Sequence, residues 1–394
     1  MNFIQMQDFL KESDKRFLWS LAINEDKQAI KYFEENTDLK NIIKYSISNQ
    51  IEHHLYEFLK KYDLLSAIEE EHIHAIKSSV EIKAKKSMIT YHKGLKVLNE
   101  FTKDKINYVS LKGFSYLEYN NTFDRPIRDI DVLIDHGDIE RAVNIAMKNG
   151  FMFKNHKNFS NKIILNNSDI YDLPDLVDEN NVCMEIHYKI LRDSNSSTCK
   201  LSKALFEDVK TFYFHGSNIK TSSLSSCLSH LAYHATKKGN FDIGLRSIFD
   251  LKALSRFSSE EDKIKIKNIS SECRFSKESE LFLSIIESKD KSCGNRKTYL
   301  LKELIFSPNI NIKIQEFFLK ESLIQKFKHI FTLLFVNKHH IKREFQSETT
   351  FFISSYFARW ARQIRQFGNY MYLLIFKKEL FKRRAKLIKE FYKD

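Results

Sequence analysis

The chain has 394 residues, 42% of them hydrophobic, so it is too long for one small domain and apolar enough for real cores; roughly two or three structural units are expected. Nine glycines and three prolines punctuate few turns, so long helices should dominate. The net charge is +13 and its surplus is uneven, with 16 Lys or Arg against 6 Asp or Glu between residues 321 and 394. That patch fits an anionic partner (RNA, a membrane surface or an acidic protein) or a plain solvated helical face.

No stretch approaches the ~18 apolar residues of a membrane span, the longest candidates being the short runs at 331–336 and 370–376. The five cysteines Cys183, Cys199, Cys227, Cys273 and Cys293 are odd in number and form no CxxC pair, which fits a reducing compartment. The first residues carry acids early and no apolar h-region, unlike a secretory signal. A soluble, cytoplasmic protein without a transmembrane segment is expected.

Residues 1–104 read as a helical N-terminal region. Ile43, Tyr45, Ile47, Ile51, Leu55, Phe58 and Leu59 recur at helical spacing, and further helices fit 64–78 and 80–103. The texture changes at about residue 105, and 105–218 is the one mixed α/β block. A strand at 107–111 runs into Lys112-Gly113, a short helix follows at 114–119, and 129–134 alternates strictly as a strand. A helix at 137–149 closes on Gly150. Strands are predicted at 151–153, 162–165, 182–188 and 210–214, the last before a turn at His215-Gly216-Ser217. Helices return over 219–295, packing on the core; one is capped by Ser222 or Ser223 and runs to about residue 237, and another spans 242–256. From 296 to 394 the pattern is helical, aromatic and basic. Overall the fold class is α/β (α+β), a mixed sheet flanked by helical N- and C-terminal regions.

The chemistry concentrates at Arg125-Pro-Ile-Arg128-Asp129-Ile-Asp131-Val-Leu-Ile134. On a strand, Asp129 and Asp131 share one face while Ile130, Val132 and Ile134 enter a core. Two adjacent carboxylates repel unless a cation lies between them, and oxygen ligands favour Mg²⁺ or Mn²⁺. The bland alternative is two solvated aspartates on an edge strand. Upstream, a strand running into Lys112-Gly113 and a helix can bring backbone amides and an ammonium to a phosphate. Downstream, Glu185 lies on another strand with Met184 and Ile186 on the opposite face, a third carboxylate of the kind a two-metal centre uses. Arg125 and Arg128 either orient the aspartates, grip phosphates or form ordinary salt bridges.

Two histidine patterns invite a zinc reading. Cys183, Glu185 and His187 share a strand face, but no second Cys/His cluster has metal spacing, and His187 fits better as support for Glu185 or as an acceptor contact. His230 and His234 stand at i and i+4, yet Leu231 follows the first where a zinc protease needs glutamate. Near the end, Arg359 to Arg365 and the run from Phe376 to Lys389 are amphipathic and basic. They suit RNA, anionic lipid, a protein contact or a cap on the protein's own core.

Together these pieces resemble the nucleotidyltransferase superfamily, with its strand–Gly–helix turn, Asp-x-Asp strand and third acid. The chain is similar to a family of uncharacterised bacterial nucleotidyltransferases that carry a Leu-Lys-Gly turn, an arginine leading into an Asp-hydrophobic-Asp strand, and a Glu-hydrophobic-His strand. The counterparts are Leu111-Lys112-Gly113, Arg125 to Asp131, and Glu185-Ile186-His187, and the likeness covers roughly residues 85–255. The Lys-Gly turn is also similar to that of nucleotidyltransferase toxins of toxin–antitoxin systems. The wider superfamily has Gly-Ser or Gly-Gly where this chain has Gly113-Phe114-Ser115. The resemblance implies a five- or six-stranded mixed sheet and transfer of a nucleoside monophosphate from an NTP, with pyrophosphate released. Asp129, Asp131 and Glu185 would bind metal and carry catalysis. Lys112, Gly113, Ser115, Arg125 and Arg128 would contact the nucleotide, with His187 and His234 behind them. A histidine helix followed by Arg246 and Asp250 would line the rear of the site, or these residues only pack helices. The acceptor stays open between a small molecule, a protein and tRNA, and a non-catalytic nucleotide- or partner-binding protein is the other alternative.

Overall fold

The computed structural model describes residues 10–23, 25–35, 38–120, 125–154, 173–190, 196–238, 244–287, 296–306 and 378–393. The chain divides into a larger unit, Phe9–Gly239 with Ile243–Ser292, and a smaller one, Met1–Asp8, Asn240–Asp242 and Cys293–Asp394.

The larger unit opens with helices α1 (Glu12–Ala22), α2 (Asp26–Glu34), α3 (Leu39–Asn49), α4 (Glu52–Lys61) and α5 (Glu70–Lys103). Where the periodicity suggests helices at 64–78 and 80–103, Leu64–Ala67 is a 3₁₀ turn and α5 runs unbroken for 34 residues. No glycine or proline stands between residues 70 and 93 to stop it. The C-terminal half of α5 lays Tyr91, Leu95, Leu98 and Phe101 into the main core.

The main sheet contains β1 (Tyr108–Ser110), β2 (Asp129–Ile134), β3 (Met152–Phe153), β4 (Leu176–Val177) and β5 (Cys183–His187) in the order β1-β2-β5-β4-β3. Only β2 and β5 pair in parallel; the other three pairings are antiparallel. Helix α6 (Lys112–Asn120) connects β1 to β2, and α7 (Ile139–Lys148) follows β2 after a 3₁₀ turn, His136–Asp138. This is the expected α+β core with a five-stranded mixed sheet. The two-residue β4 is too short to leave an alternation in the sequence, and the strand expected at 162–165 lies outside the described residues.

Alternation fixes what each face of β2 does. Ile130, Val132 and Ile134 are fully buried in one core with Met184 and Ile186 of β5 and Ala142, Val143 and Ala146 of α7. Each such side chain stabilises the fold by roughly 1.5–3 kcal/mol, and a one-residue slip would send all three to the polar face. The register that buries them therefore presents Asp129 and Asp131 on the other face.

After the sheet come α8 (Ser196–Glu207) and a hairpin of β6 (Lys210–Phe214) and β7 (Ser217–Thr221). The turn residues His215 and Gly216 both have positive φ, 42° and 80°, as a two-residue hairpin loop that follows the strand twist requires. Helix α9 (Leu224–Tyr233) is capped by Ser223, whose side chain accepts from the Ser226 amide, and it loosens into a π turn at His234–Lys238. Helices α10 (Leu245–Ser255), α11 (Glu260–Glu272) and α12 (Ser276–Glu287) complete the unit.

Of the smaller unit, α13 (Arg296–Phe306) and α14 (Lys378–Lys393) are described. Within the basic run, Arg384 is turned inward, as the alternative of a cap on the protein's own core expects: it is 1% exposed and its Nη1 donates to the Leu304 carbonyl at 2.8 Å. It caps α13 from within, beside buried Ala385 and Ile388, while Arg383 meets Glu303 at 2.9 Å on the surface. Lys382, Arg383, Lys386 and Lys389 form the exposed side of α14. Residues 331–336, 359–365 and 370–376 lie outside the described residues. Among the described residues, no helix is long and apolar enough to cross a membrane. Cys183, Cys227 and Cys273 are free thiols.

Candidate active site

The parallel pairing of β2 with β5 sets Asp131 beside Glu185 and Asp129 beside Cys183. The amide of Leu111 donates to the Asp131 carbonyl at 2.9 Å, so β1 ends where the carboxylates begin. The Asp131 side chain is 1% exposed, whereas Glu185 keeps 32% of its surface open. His187 lies on the same face, its Nε2 3.4 Å from Asp131 Oδ1 and 3.4 Å from Glu185 Oε2. One ligand atom from each of Asp131, Glu185 and His187 lies within 4.8 Å of the other two.

Lys112 reaches into this cluster from the first position of α6. Its ammonium bonds Asp131 Oδ1 and lies 4.0 Å from Glu185 Oε2. Its φ is +47°, a left-handed conformation that costs a side-chain-bearing residue of order 1–3 kcal/mol and persists only where the surroundings enforce it. Lys112-Gly113 is thus the first turn of the helix itself.

The charges are strongly coupled. Burial, then the Asp131 charge, pushes the Asp129 carboxyl up to about 6 against the pull of Lys112. Burial also opposes ionisation of Asp131, but Lys112 and His187 together hold its carboxyl well below the usual range. Burial works against a charge on Lys112 too, and Asp131, Asp129 and Glu185 outweigh it to raise its pKa. His187 follows the same logic: burial opposes its charge, and the bonds to Asp131 and Glu185 raise its pKa nonetheless. The second Asp131 oxygen, Oδ2, is buried with no hydrogen-bond partner. A buried anionic oxygen without a donor calls for a further positive ligand.

A model of the family described as uncharacterised nucleotidyltransferase matches residues 35–288. The chain belongs to that nucleotidyltransferase family. A search of curated proteins returns no match. The match begins well before the motifs, so α3, α4 and α5 belong to the family region, which extends further than the resemblance read at 85–255.

The remaining residues of this nucleotidyltransferase-family core divide into those around the carboxylates and those holding the framework. Arg125 is committed to the framework: its Nε and Nη2 each donate to an Asp250 oxygen at 2.7 Å, with the two side chains only 11% and 10% exposed. Of the alternatives open for Arg125, the structure shows the salt bridge, and its partner Asp250 comes from α10. Arg246 instead donates to Gln50 Oε1 at 2.7 Å and to the Pro126 carbonyl at 3.1 Å. Burial first, then the Arg125 charge, pulls its pKa down to about 10. Tyr91 donates to the Arg125 carbonyl at 2.8 Å, and Ser87 accepts from the Ile127 amide at 2.9 Å. Residues 125–127 are therefore a strap, pinned from α5 and α10, that delivers the chain into β2 at Asp129. Arg125 and Asp250 also line a cavity of about 960 Å³ with His53, His54 and Phe249, where His54 stacks on Phe249 at 3.9 Å.

Ser115 is also turned to structure. It is 2% exposed, and its hydroxyl donates to the Lys112 carbonyl at 2.7 Å, fastening the first turn of α6. Arg128 is exposed, with Asp129 and Glu52 as its charged neighbours. His234 packs edge-on to His230, 6.0 Å between ring centroids, and is not part of the Asp131 cluster. The Cys183 thiol, pushed up to about 12 by burial and then by Asp175 and Glu185, groups with those two acids and not with His187. Phe114, at the position where the superfamily has a small residue, is a core anchor: its ring fills the space a side chain at Gly94 would need and stands edge-on to Tyr91.

Gly113 lies under the strap. A β-carbon there would land on the Ile127 side chain and 3.0 Å from Arg125 Nη1. Gly113→Ala must therefore move the strap or α6, and urea denaturation should show a loss of about 1–3 kcal/mol. A variant as stable as the parent would mean the strap yields freely and does not position Asp129.

Proposed function

We propose that this protein transfers a nucleoside monophosphate from an NTP to an acceptor hydroxyl or similar group, releasing pyrophosphate, at the Asp129–Asp131–Glu185 centre. The observation that carries the reading is the in-register pairing of a buried Asp131 with a half-open Glu185, with Asp129 and Lys112 beside them. The donor set fits Mg²⁺ or Mn²⁺: carboxylates dominate it, Asp131 Oδ2 lacks a partner, and the Lys112 ammonium already stands where positive charge is required. Bound there, the ion supplies charge neutralisation for the phosphates and aligns the displacement.

The protein groups do the rest. Asp129, Asp131 and Glu185 would hold the cation, the ligand atoms of Asp131 and Glu185 already converging. Lys112 and the N-terminal turn of α6 meet the phosphates, where a helix start favours anions. Glu185, the exposed member, orients the acceptor and takes its proton as the new bond to the α-phosphorus forms and the bond to pyrophosphate breaks. His187 fixes the orientation of both Asp131 and Glu185. The core anchoring of Phe114 supports this reading, because it accounts for the departure at the turn without disturbing the carboxylates.

The acceptor is a small molecule, a protein or tRNA, and the exposed lysines of α14 are the feature that would favour RNA. An RNA acceptor would bind with a steep salt dependence and a small molecule with little. The test is incubation with each α-³²P-labelled NTP, Mg²⁺ and cell lysate. Labelling of one acceptor fraction is expected, abolished by EDTA and restored by Mg²⁺ or Mn²⁺. Full labelling by metal-free protein would sink the metal mechanism, and nucleotide binding with no labelled product from any fraction would favour a non-catalytic binder.

A further inference from the structure

We infer that Lys112 is a built-in cation that competes with the metal ion for Asp131 and is drawn off by the phosphates of the incoming NTP, so that metal and nucleotide each strengthen binding of the other. The inference rests on the carboxylate centre proposed above and adds to it an order of exchange within the site.

The argument begins with shared atoms. The Lys112 ammonium bonds Asp131 Oδ1 and approaches Glu185 Oε2, while Asp131, Glu185 and His187 are the residues whose ligand atoms converge closely enough to hold an ion. A divalent ion on those oxygens and an ammonium on the same oxygens repel each other, so one must yield. The ammonium is the mobile partner: it sits on a flexible stem with three rotatable donors.

Its destination follows from its position. Lys112 is the first residue of α6, its backbone is left-handed, and its ammonium lies against the carboxylates. Strained backbone of this kind marks sites where a conformation is put to use. Phosphates meeting the start of α6 give the displaced ammonium a new partner within reach of its own stem. Coupling of this sort is reciprocal, so whatever nucleotide does for metal affinity, metal does for nucleotide affinity.

A purely structural Lys112 makes a different forecast. A counter-ion that left the ion's oxygens free would, when removed, lower stability without changing how metal binds.

The probe is Mn²⁺ alone, titrated into the full chain by calorimetry or electron paramagnetic resonance. Lys112→Met, which keeps length and removes charge, is expected to bind Mn²⁺ at least ~10-fold tighter than the parent. Adding Asp131→Asn to that variant should erase the gain and so place the ion at this site. Equal Mn²⁺ affinity in parent and Lys112→Met overturns the inference while leaving the carboxylate centre standing. No Mn²⁺ bound by either protein overturns the centre, and the inference with it. Should Lys112→Met fail to fold, the parent suffices: acetylation of Lys112 by an amine-reactive ester, followed by peptide mapping, should accelerate several-fold when Mn²⁺ saturates the protein. An unchanged or slower rate overturns the exchange.

Discussion

Asp131→Asn should lower turnover at least ~100-fold, about 2.7 kcal/mol of transition-state stabilisation, in a protein that stays folded. The substitution is nearly isosteric, so the β2–β5 register and the Ile130–Val132–Ile134 core need not change. What changes is charge. Asp131 is the most enclosed acid of the centre, and the Lys112 ammonium bonds it directly. Without it the site loses a ligand oxygen and the anion that holds the ammonium in place. Asp129→Asn should cost as much, since the same metal requires both. Glu185→Gln should impair turnover as severely yet spare NTP binding, because the open Glu185 serves the acceptor. Asp135→Asn is the control. It follows the same strand, but its carboxylate accepts from the Gly137 amide at 3.0 Å and caps the turn before α7. Its effect should stay within about threefold. Steady-state rates with circular dichroism on each variant decide the matter; an essential Asp135 beside a dispensable Asp129 would show that the site has been placed on the wrong residues.

That these acids share one face of the sheet was legible in the sequence because strand alternation is a local signal. Six residues, Asp129 to Ile134, state both which face is core and which carries the acids, and Met184-Glu185-Ile186 repeats the statement. The parts that were not legible depend on partners far along the chain. Arg246 and Asp250 have the spacing of a helical ion pair, yet Asp250 pairs with Arg125, 125 residues away. Nothing local distinguishes those two outcomes. Arg384 sits in a run that reads as surface charge, and only the Leu304 carbonyl reveals it as an interior cap. Phe114 looks like an intrusion into a phosphate-binding turn until Gly94, a costly residue inside a long helix, is seen to make room for its ring. Strands β4 and β7 were missed for different reasons: the first has two residues, and the second, Ser-Asn-Ile-Lys-Thr, is mostly polar and belongs to a separate two-stranded sheet.

The Arg125–Asp250 pair carries the largest expected loss of stability. Both side chains are about nine-tenths enclosed and joined by two 2.7 Å hydrogen bonds. Asp250→Ala leaves a guanidinium that cannot shed its charge in a buried site, with Arg246 nearby as a second positive group. Removing one member of such a pair costs about 3–5 kcal/mol, more than the overpacking expected at Gly113. Replacing both members, as in Arg125→Met with Asp250→Leu, should recover much of that loss, because no charge is then stranded. Turnover need not recover with it. The strap would keep Tyr91 and Ser87 but lose its tie to α10, and a displacement of about 1 Å at Asp129 can cost on the order of 100-fold in rate. The sign of the pH dependence follows from Asp250. Burial raises its pKa, but Arg125 and then Arg246 pull it below the ordinary 3.8. A carboxyl depressed on folding stabilises above its unfolded value and loses that contribution as pH falls through the folded one. The parent should therefore hold this increment at neutral pH and surrender it below 3.8, whereas Asp250→Ala has none to surrender. Urea denaturation at pH 7 and at pH 3 should show the gap between the two proteins narrowing on acidification. A gap under about 1 kcal/mol at pH 7 would mean that the strap stands without the pair, and that Asp129 is positioned by the core of β2 alone.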